Sequence, residues 1–232
     1  MKLRWLGHSA FELVENNGIN ILIDPFIRDN PSCPIHVSSL NPDIICVTHA
    51  HSDHLGDTVE IAKNSNSIVI CNYELSRYLQ SKGIQAIGIN CGAKLSFGGV
   101  TIRMLDAKHS SSYDFEMEIG YAGEAGCYLI EFENDLKVFH AGDTGLFSDL
   151  KFVVGEVYKP DIALLPIGNV FTMDPYEAAK ATNWINPKVV IPMHYNSFPS
   201  IKQDANQFKK LIEKEAPNCE TLIPDPLQVI EF

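Results

Sequence analysis

The 232-residue sequence predicts an α/β protein. Short apolar runs rich in β-branched residues, among them Ile19-Asn20-Ile21-Leu22-Ile23 and Ile44-Ile45-Cys46-Val47, read as strands. Helix-start and helix-stop signals fall between such runs, as in Asp174-Pro175-Tyr176-Glu177. The segment Pro160-Asp161-Ile162-Ala163-Leu164-Leu165 also echoes Pro42-Asp43-Ile44-Ile45-Cys46-Val47, which points to two related β-rich halves.

In chain order, residues 2–6 and 10–15 read as strands, and Asn16-Asn17-Gly18 is a turn signal before the strand at 19–23. Asp24-Pro25 ends that strand. Residues 28–42, with Asn30-Pro31, Cys33-Pro34 and Asn41-Pro42, form a loop of the kind that covers a site. The strand at 44–47 leads into residues 48–57, followed by a helix over 55–64, a strand over 67–71 and a helix over 74–82 stopped by Gly83. Residues 99–105 form a strand that runs into the loop carrying His109, and 127–133 and 136–140 make a hairpin about Asn134-Asp135. Asp174 is the N-cap of a helix reaching about Asn186, with Pro175 first in the helix and Glu177 as capping-box partner. A strand at 189–192 delivers His194; a helix over 200–215 and short strands at 220–223 and 227–231 complete the chain.

Eighteen basic and 29 acidic residues give a net charge of −11. That balance argues against nonspecific attraction to nucleic acid or to an anionic membrane, whose phosphates call for Lys and Arg. No nucleic-acid partner is expected, and no apolar run approaches the roughly 20 residues of a membrane span. Six scattered cysteines without a C-x-x-C pair read as small buried residues of a reduced protein. The opening residues lack an apolar signal-peptide core, so the expected location is cytoplasmic.

The richest stretch is Thr48-His49-Ala50-His51-Ser52-Asp53-His54-Leu55-Gly56-Asp57. It follows a predicted strand, and α/β proteins place ligands at the carboxyl ends of strands. His49 and His51 can point the same way from an extended loop toward one metal, while Asp53 and His54 lie beyond the turn and can face a second. Imidazole and carboxylate are the ligands that zinc and similar metals take.

This H-x-H-x-D-H pattern resembles the signature of the metallo-β-lactamase superfamily. Three further residues occupy the expected order: His109 in Lys108-His109-Ser110, Asp143 in Gly142-Asp143-Thr144, and His194 in Pro192-Met193-His194. The opening Trp5-Leu6-Gly7-His8-Ser9-Ala10-Phe11 and the stretch from Pro166 to Asp174 are similar to the small, single-domain metal-dependent hydrolase (UPF0173-like) branch, near the ascorbate-lactonase-like and N-acyl-phosphatidylethanolamine phospholipase-like groups. The resemblance implies a four-layer αβ/βα sandwich, two mixed β-sheets flanked by helices, in a single domain spanning residues 1–232. It also implies two divalent metal ions per chain. His49, His51 and His109 would hold one, Asp53, His54 and His194 the other, and Asp143 would bridge them. Zinc is the first choice by ligand type, and manganese, iron or nickel fit such a site as well.

Asp24 matches the superfamily's early aspartate and is expected behind the ligands, steadying histidines by hydrogen bonds; the competing reading is a turn-forming Asp-Pro. His140, three residues before Asp143, is a second supporting candidate, against a purely structural buried histidine. Asp53 is also expected to act in catalysis by orienting the attacking water or shuttling its proton, and His8 by touching the substrate or leaving group. For His8 an ordinary strand-end histidine is the plain alternative. His36 reads as solvent-exposed, and Lys108 is placed to meet an anionic substrate. Oxygen-reducing diiron relatives carry glutamate at the position of His51 and add a flavin domain, so hydrolysis is favoured over redox chemistry. The expected activity is a metal-dependent hydrolase that uses a metal-activated water on a small-molecule ester, either a phosphodiester or a lactone or carboxylic ester. The alternatives are a nuclease of the same superfamily and a non-catalytic metal-binding module. A homo-oligomer is compatible with any of these.

Overall fold

The computed structural model describes residues 1–115 and 118–232. The chain forms two compact units, each interleaved in sequence. The first takes residues 1–91, 110–126 and 225–232, and the second takes 92–109 and 127–224.

The first unit is built on β1 (Lys2–Trp5), β2 (Phe11–Val14), β3 (Asn20–Ile23), β4 (Ile44–Cys46), β5 (Ile68–Asn72) and β6 (Ala86–Ile89), with the late strand β16 (Val229–Glu231). Their order in the sheet is β16-β1-β2-β3-β4-β5-β6. The pairs from β16 to β3 are antiparallel and those from β3 to β6 parallel. Helices α1 (Ser52–Leu55), α2 (Thr58–Ser65) and α3 (Tyr73–Ser81) belong to this unit. Leu22, Ile45, Val47, Ile61, Val69, Leu75 and Leu79 meet in its core.

The second unit carries β7 (Lys94–Phe97), β8 (Val100–Asp106), β11 (Gly126–Glu131), β12 (Lys137–His140), β13 (Ile162–Pro166), β14 (Val189–Met193) and β15 (Glu220–Thr221) in the order β15-β14-β13-β12-β11-β8-β7. The β11–β12 hairpin is antiparallel and β12 to β15 are parallel. α4 (Pro175–Ile185) packs against α5 (Ala205–Glu215), against β13 and against a π-helical stretch, Leu150–Tyr158. The capping box at Asp174 and Glu177 is formed as the sequence predicts.

The echo between the halves has a structural counterpart. β4 and β13 are both central parallel strands, each two places from the β2 or β11 strand that turns antiparallel. Just before them, Asp43 and Asp161 make the same bonds. Asp43 gives its N–H to Asn20 O at 2.9 Å and accepts from Asn20 N at 2.8 Å, while Asp161 gives its N–H to Lys137 O and accepts from Lys137 N, both at 2.9 Å. Their carbonyls accept from Ile68 and Val189, the first residues of the next parallel strands. One aspartate thus ties three strand starts together in each sheet.

Several elements differ from the sequence-based expectation. The helix expected over 55–64 is two pieces, because Gly56 breaks it at φ 44°; Asp53 and His54 therefore sit on a helical turn and not on a loop. The helix expected from Ser200 begins at Ala205. Pro199–Ile201 close a separate 3₁₀ turn, and Asp204 caps α5 by accepting from Asn206 N at 2.9 Å. Strands β6 and β7, the β9 (Ser112–Phe115) and β10 (Glu118–Tyr121) hairpin and the π-helical stretch were not expected. β6 escapes because Gly88 interrupts its apolar pattern. A Cβ there would lie 2.4 Å from Ser76 Oγ and 2.8 Å from Tyr73 Cα, so glycine lets α3 approach the sheet.

Asp43→Ala and Asp161→Ala are each expected to lower stability by about 1 kcal/mol, the net contribution of a hydrogen bond. Urea unfolding midpoints with an unchanged slope would report this, and the Asn variants, which keep an acceptor, should lose less.

Candidate metal centre

In the first unit the candidate donors are organised by Asp24, the residue after β3. It is fully buried and sits in the left-handed region at φ 45°. Its Oδ1 accepts from Thr48 N at 2.8 Å, and its Oδ2 accepts from Thr48 Oγ1 and from His54 Nδ1, both at 2.7 Å. A buried carboxylate is acceptor-only, so both partners on Oδ2 donate. The Thr48 hydroxyl has one proton and gives it to Asp24, which leaves its oxygen to accept from His49 Nδ1 at 3.0 Å. In their neutral forms His49 and His54 then carry the proton on Nδ1 and the lone pair on Nε2, the atom that would face a cation.

His49 Nε2 lies 3.0 Å from His51 Nδ1, with the rings 4.6 Å apart and nearly perpendicular. Two nitrogens on one tetrahedral zinc at 2.0–2.1 Å would be roughly 3.3–3.4 Å apart, so this pair stands slightly closer than two ligands of one ion would. His51 is the N-cap of α1, in an extended conformation that turns its ring back toward His49. α1 is itself fastened to the chain beyond Asp24. Asp57 N donates to Pro25 O at 2.9 Å, and Asp57 Oδ2 accepts from Ile27 N and Arg28 N at 3.0 and 2.9 Å. A Cβ on Gly56 would meet Pro25 O at 2.4 Å. The single turn that presents Asp53 and His54 is held rigidly by these bonds.

His8 is fully buried at φ 53°, with its Nε2 3.2 Å from Asp53 Oδ2 and its ring edge-on to Phe26. His8, Asp53 and His54 offer ligand atoms within 4.8 Å of one another. Burial pushes the Cys46 thiol up, with a smaller push from Asp24.

The second unit assembles the other three. Asp143 Oδ2 lies 2.9 Å from His194 Nε2 and 3.6 Å from His109 Nε2. Asp143 follows Gly142 at φ 56°, and the buried His140 accepts from Gly142 N through Nδ1 at 3.1 Å, which fixes the turn presenting the carboxylate. Thr144 Oγ1 accepts from Lys108 N at 3.0 Å, and Gly145 N donates to Lys108 O at 3.2 Å, so the His109 loop is stitched to the Asp143 turn. His194 ends β14 at φ 54°. A Cβ on Gly168 would stand 2.3 Å from His194 O and 3.0 Å from its Nδ1.

Two sequence-based candidates are accounted for elsewhere. Lys108 is ion-paired with Asp106 and lies over the Phe147 ring. His36 is exposed and caps a 3₁₀ turn by accepting from Ser38 N at 3.2 Å. Thr48 and Thr144, both next to proposed ligands, were not singled out from the sequence. Their signal is a hydroxyl one residue from a ligand.

The model for the β-lactamase superfamily domain matches residues 2–194. The chain belongs to that superfamily. It is 53% identical over 232 residues to a UPF0173 metal-dependent hydrolase of Methanobrevibacter smithii, covering all of this chain and 97% of the relative. The solved structure of Igni18, a metallo hydrolase from Ignicoccus hospitalis, is 38% identical with a TM-score of 0.88 over 100% of this chain and 98% of that one. The isothiocyanate hydrolase from Delia radicum gut bacteria shares the fold at 18% identity, with a TM-score of 0.77 over 100% and 99% of the two chains. This chain is therefore a metal-dependent hydrolase of the metallo-β-lactamase superfamily, with two large mixed sheets and accompanying helices. Among the described residues no helix is long and apolar enough to cross a membrane. The imidazoles and carboxylates gathered here, buried or half-buried, are donor types that zinc and neighbouring divalent ions accept.

Thr48→Val, which keeps the shape and removes the hydroxyl, is expected to weaken metal binding 10–100-fold, as loss of a group supporting a ligand histidine does. Competition with a chromogenic chelator measures this. Thr48→Ser should restore affinity, and circular dichroism should be unchanged in both.

Proposed function

We propose that this hydrolase cleaves small ester-type molecules with two divalent metal ions per chain. His49, His51 and His109 would hold one ion and Asp53, His54 and His194 the other, with Asp143 contributing to both. Zinc is the leading choice. The observation that carries the reading is the paired preparation of donors. Asp24 and Thr48 leave Nε2 of His49 and of His54 as acceptors, and Asp143 Oδ2 is approached by both His109 and His194. The remaining support is the order of the seven residues in the sequence and its superfamily pattern.

When bound, such ions act as Lewis acids and lower the pKa of water to about 7, which supplies a nucleophile at neutral pH. The protein's own work is positional. Asp24 and Thr48 fix the ring orientations of His49 and His54. Asp53 orients the attacking water and accepts its proton, and His8, 3.2 Å from Asp53 Oδ2, holds that carboxylate in its direction. His140 acts at one remove, through the Gly142 amide that sets the Asp143 turn. The net charge of −11 disfavours a polyanionic substrate and supports a small one. A cytoplasmic location, with six cysteines that form no disulfide, completes the reading.

The test is hydrolysis of bis(p-nitrophenyl) phosphate and of p-nitrophenyl carboxylic esters by metal-loaded protein, with His51→Ala alongside. The variant is expected to stay folded, to lose turnover and to bind less metal by elemental analysis. Retained turnover in His51→Ala would overturn the assignment. Whichever ester class is turned over identifies the bond.

A further inference from the structure

Residues 168–173 form a turn whose tip is apolar and exposed. Val170 is 63% exposed and Phe171 56%. The turn is strained: Asn169 and Val170 lie at φ 61° and 53°, and Phe171 N donates to Asn169 O across one residue at 2.5 Å. A β-branched residue in the left-handed region is a genuine outlier, and such outliers persist where the surroundings over-determine them. Here they do. Ile167 N donates to Met193 O at 3.0 Å, and Gly168 packs against the His194 backbone. At the other foot, Met173 N donates to Thr144 O and Asn169 N to Met173 O, both at 3.0 Å, with Met173 itself fully buried. Both feet of the turn are therefore tied to neighbours of the Asp143 and His194 pair, and Asn169, Val170 and Phe171 project. Lys108, tied to Thr144 through its backbone, is ion-paired with Asp106 and lies over the Phe147 ring, so an anionic substrate would have to compete for it.

We propose that Val170 and Phe171 form a subsite for an apolar acyl chain, and that the substrate is an uncharged carboxylic ester or lactone carrying one. This rests on the ester reading above and narrows it. An aliphatic chain laid on these side chains removes apolar area from water, and each methylene seated in such a contact contributes to kcat/KM. The two side chains offer contact to the acyl chain and no charge to a phosphoryl group.

The test is a series of p-nitrophenyl esters from acetate to octanoate with the metal-loaded wild type, Phe171→Ala, Phe171→Leu and, as a control on another exposed aromatic, Phe152→Ala. The wild-type kcat/KM should rise with chain length. The octanoate-to-acetate ratio should fall about tenfold in Phe171→Ala, the scale of losing one apolar contact. It should recover in Phe171→Leu and stay unchanged in Phe152→Ala. A flat chain-length profile, or a ratio that persists in Phe171→Ala, overturns the subsite while leaving the hydrolase reading standing. If no carboxylic ester shows turnover that depends on His51, the carboxylic-ester reading falls and the subsite falls with it.

Discussion

A fully buried carboxylate is tolerable only when its oxygens are satisfied by hydrogen bonds, and Asp24 meets that condition with three donors. The way it does so depends on the sheet. β3 and β4 run parallel with Ile23 opposite Cys46, so the residues just past their ends fall side by side. Asp24 N then reaches Cys46 O at 3.0 Å, and its side chain meets Thr48 one step further on. A slip of one residue in that register would turn the side chains to the other face and separate the pair. The orientation of His49 and His54 is thus inherited from strand pairing through one carboxylate and one hydroxyl.

The second unit repeats this logic with different residues. Asp143 follows β12, and Gly168 and His194 follow β13 and β14, whose register sets Pro166 opposite Met193. Parallel strands bring their carboxyl ends together, and chemistry collects there. His8, Asp24 and His194 all carry positive φ, a conformation that Asn, Asp and His enter more readily than other side chains. Residue types that can serve as ligands or hold them are also the ones that can occupy the abrupt turns at strand ends. Glycine supplies the space where another chain passes too close, as at Gly56 and Gly168.

Much of this was legible in the sequence, for identifiable reasons. Strands bounded by strong turn signals, such as 20–23 after Asn17-Gly18, and the capped helix at Asp174 carry local information sufficient to place them. The candidate donors stand out because seven residues of the right type fall in the order that the superfamily resemblance implies. β6 was obscured by a glycine whose value lies in contact with α3, a tertiary fact absent from local pattern. The break at Gly56 was missed because the apolar residues on either side continue a helical pattern, while the constraint that ends the first turn comes from Pro25 and Phe26, thirty residues earlier. Thr48 was missed for a related reason. A threonine after a strand is unremarkable until the partner on Asp24 is seen.

What the strand ends fix and what they leave open are different things. Register sets where the candidate donors stand at the strand ends. The turn at 168–173 is bound only at its feet, and its tip makes no demand on the core. A fold whose relatives include an isothiocyanate hydrolase does not dictate the bond to be cleaved. The proposed subsite follows that division: the candidate donors sit at strand ends held by register, and the apolar tip at 170–171 is held only through its feet. Val170 accepts a strained backbone at that tip, although nothing in the packing of the sheet requires an exposed apolar residue there. With Phe171 it makes the apolar tip proposed above to receive an acyl chain.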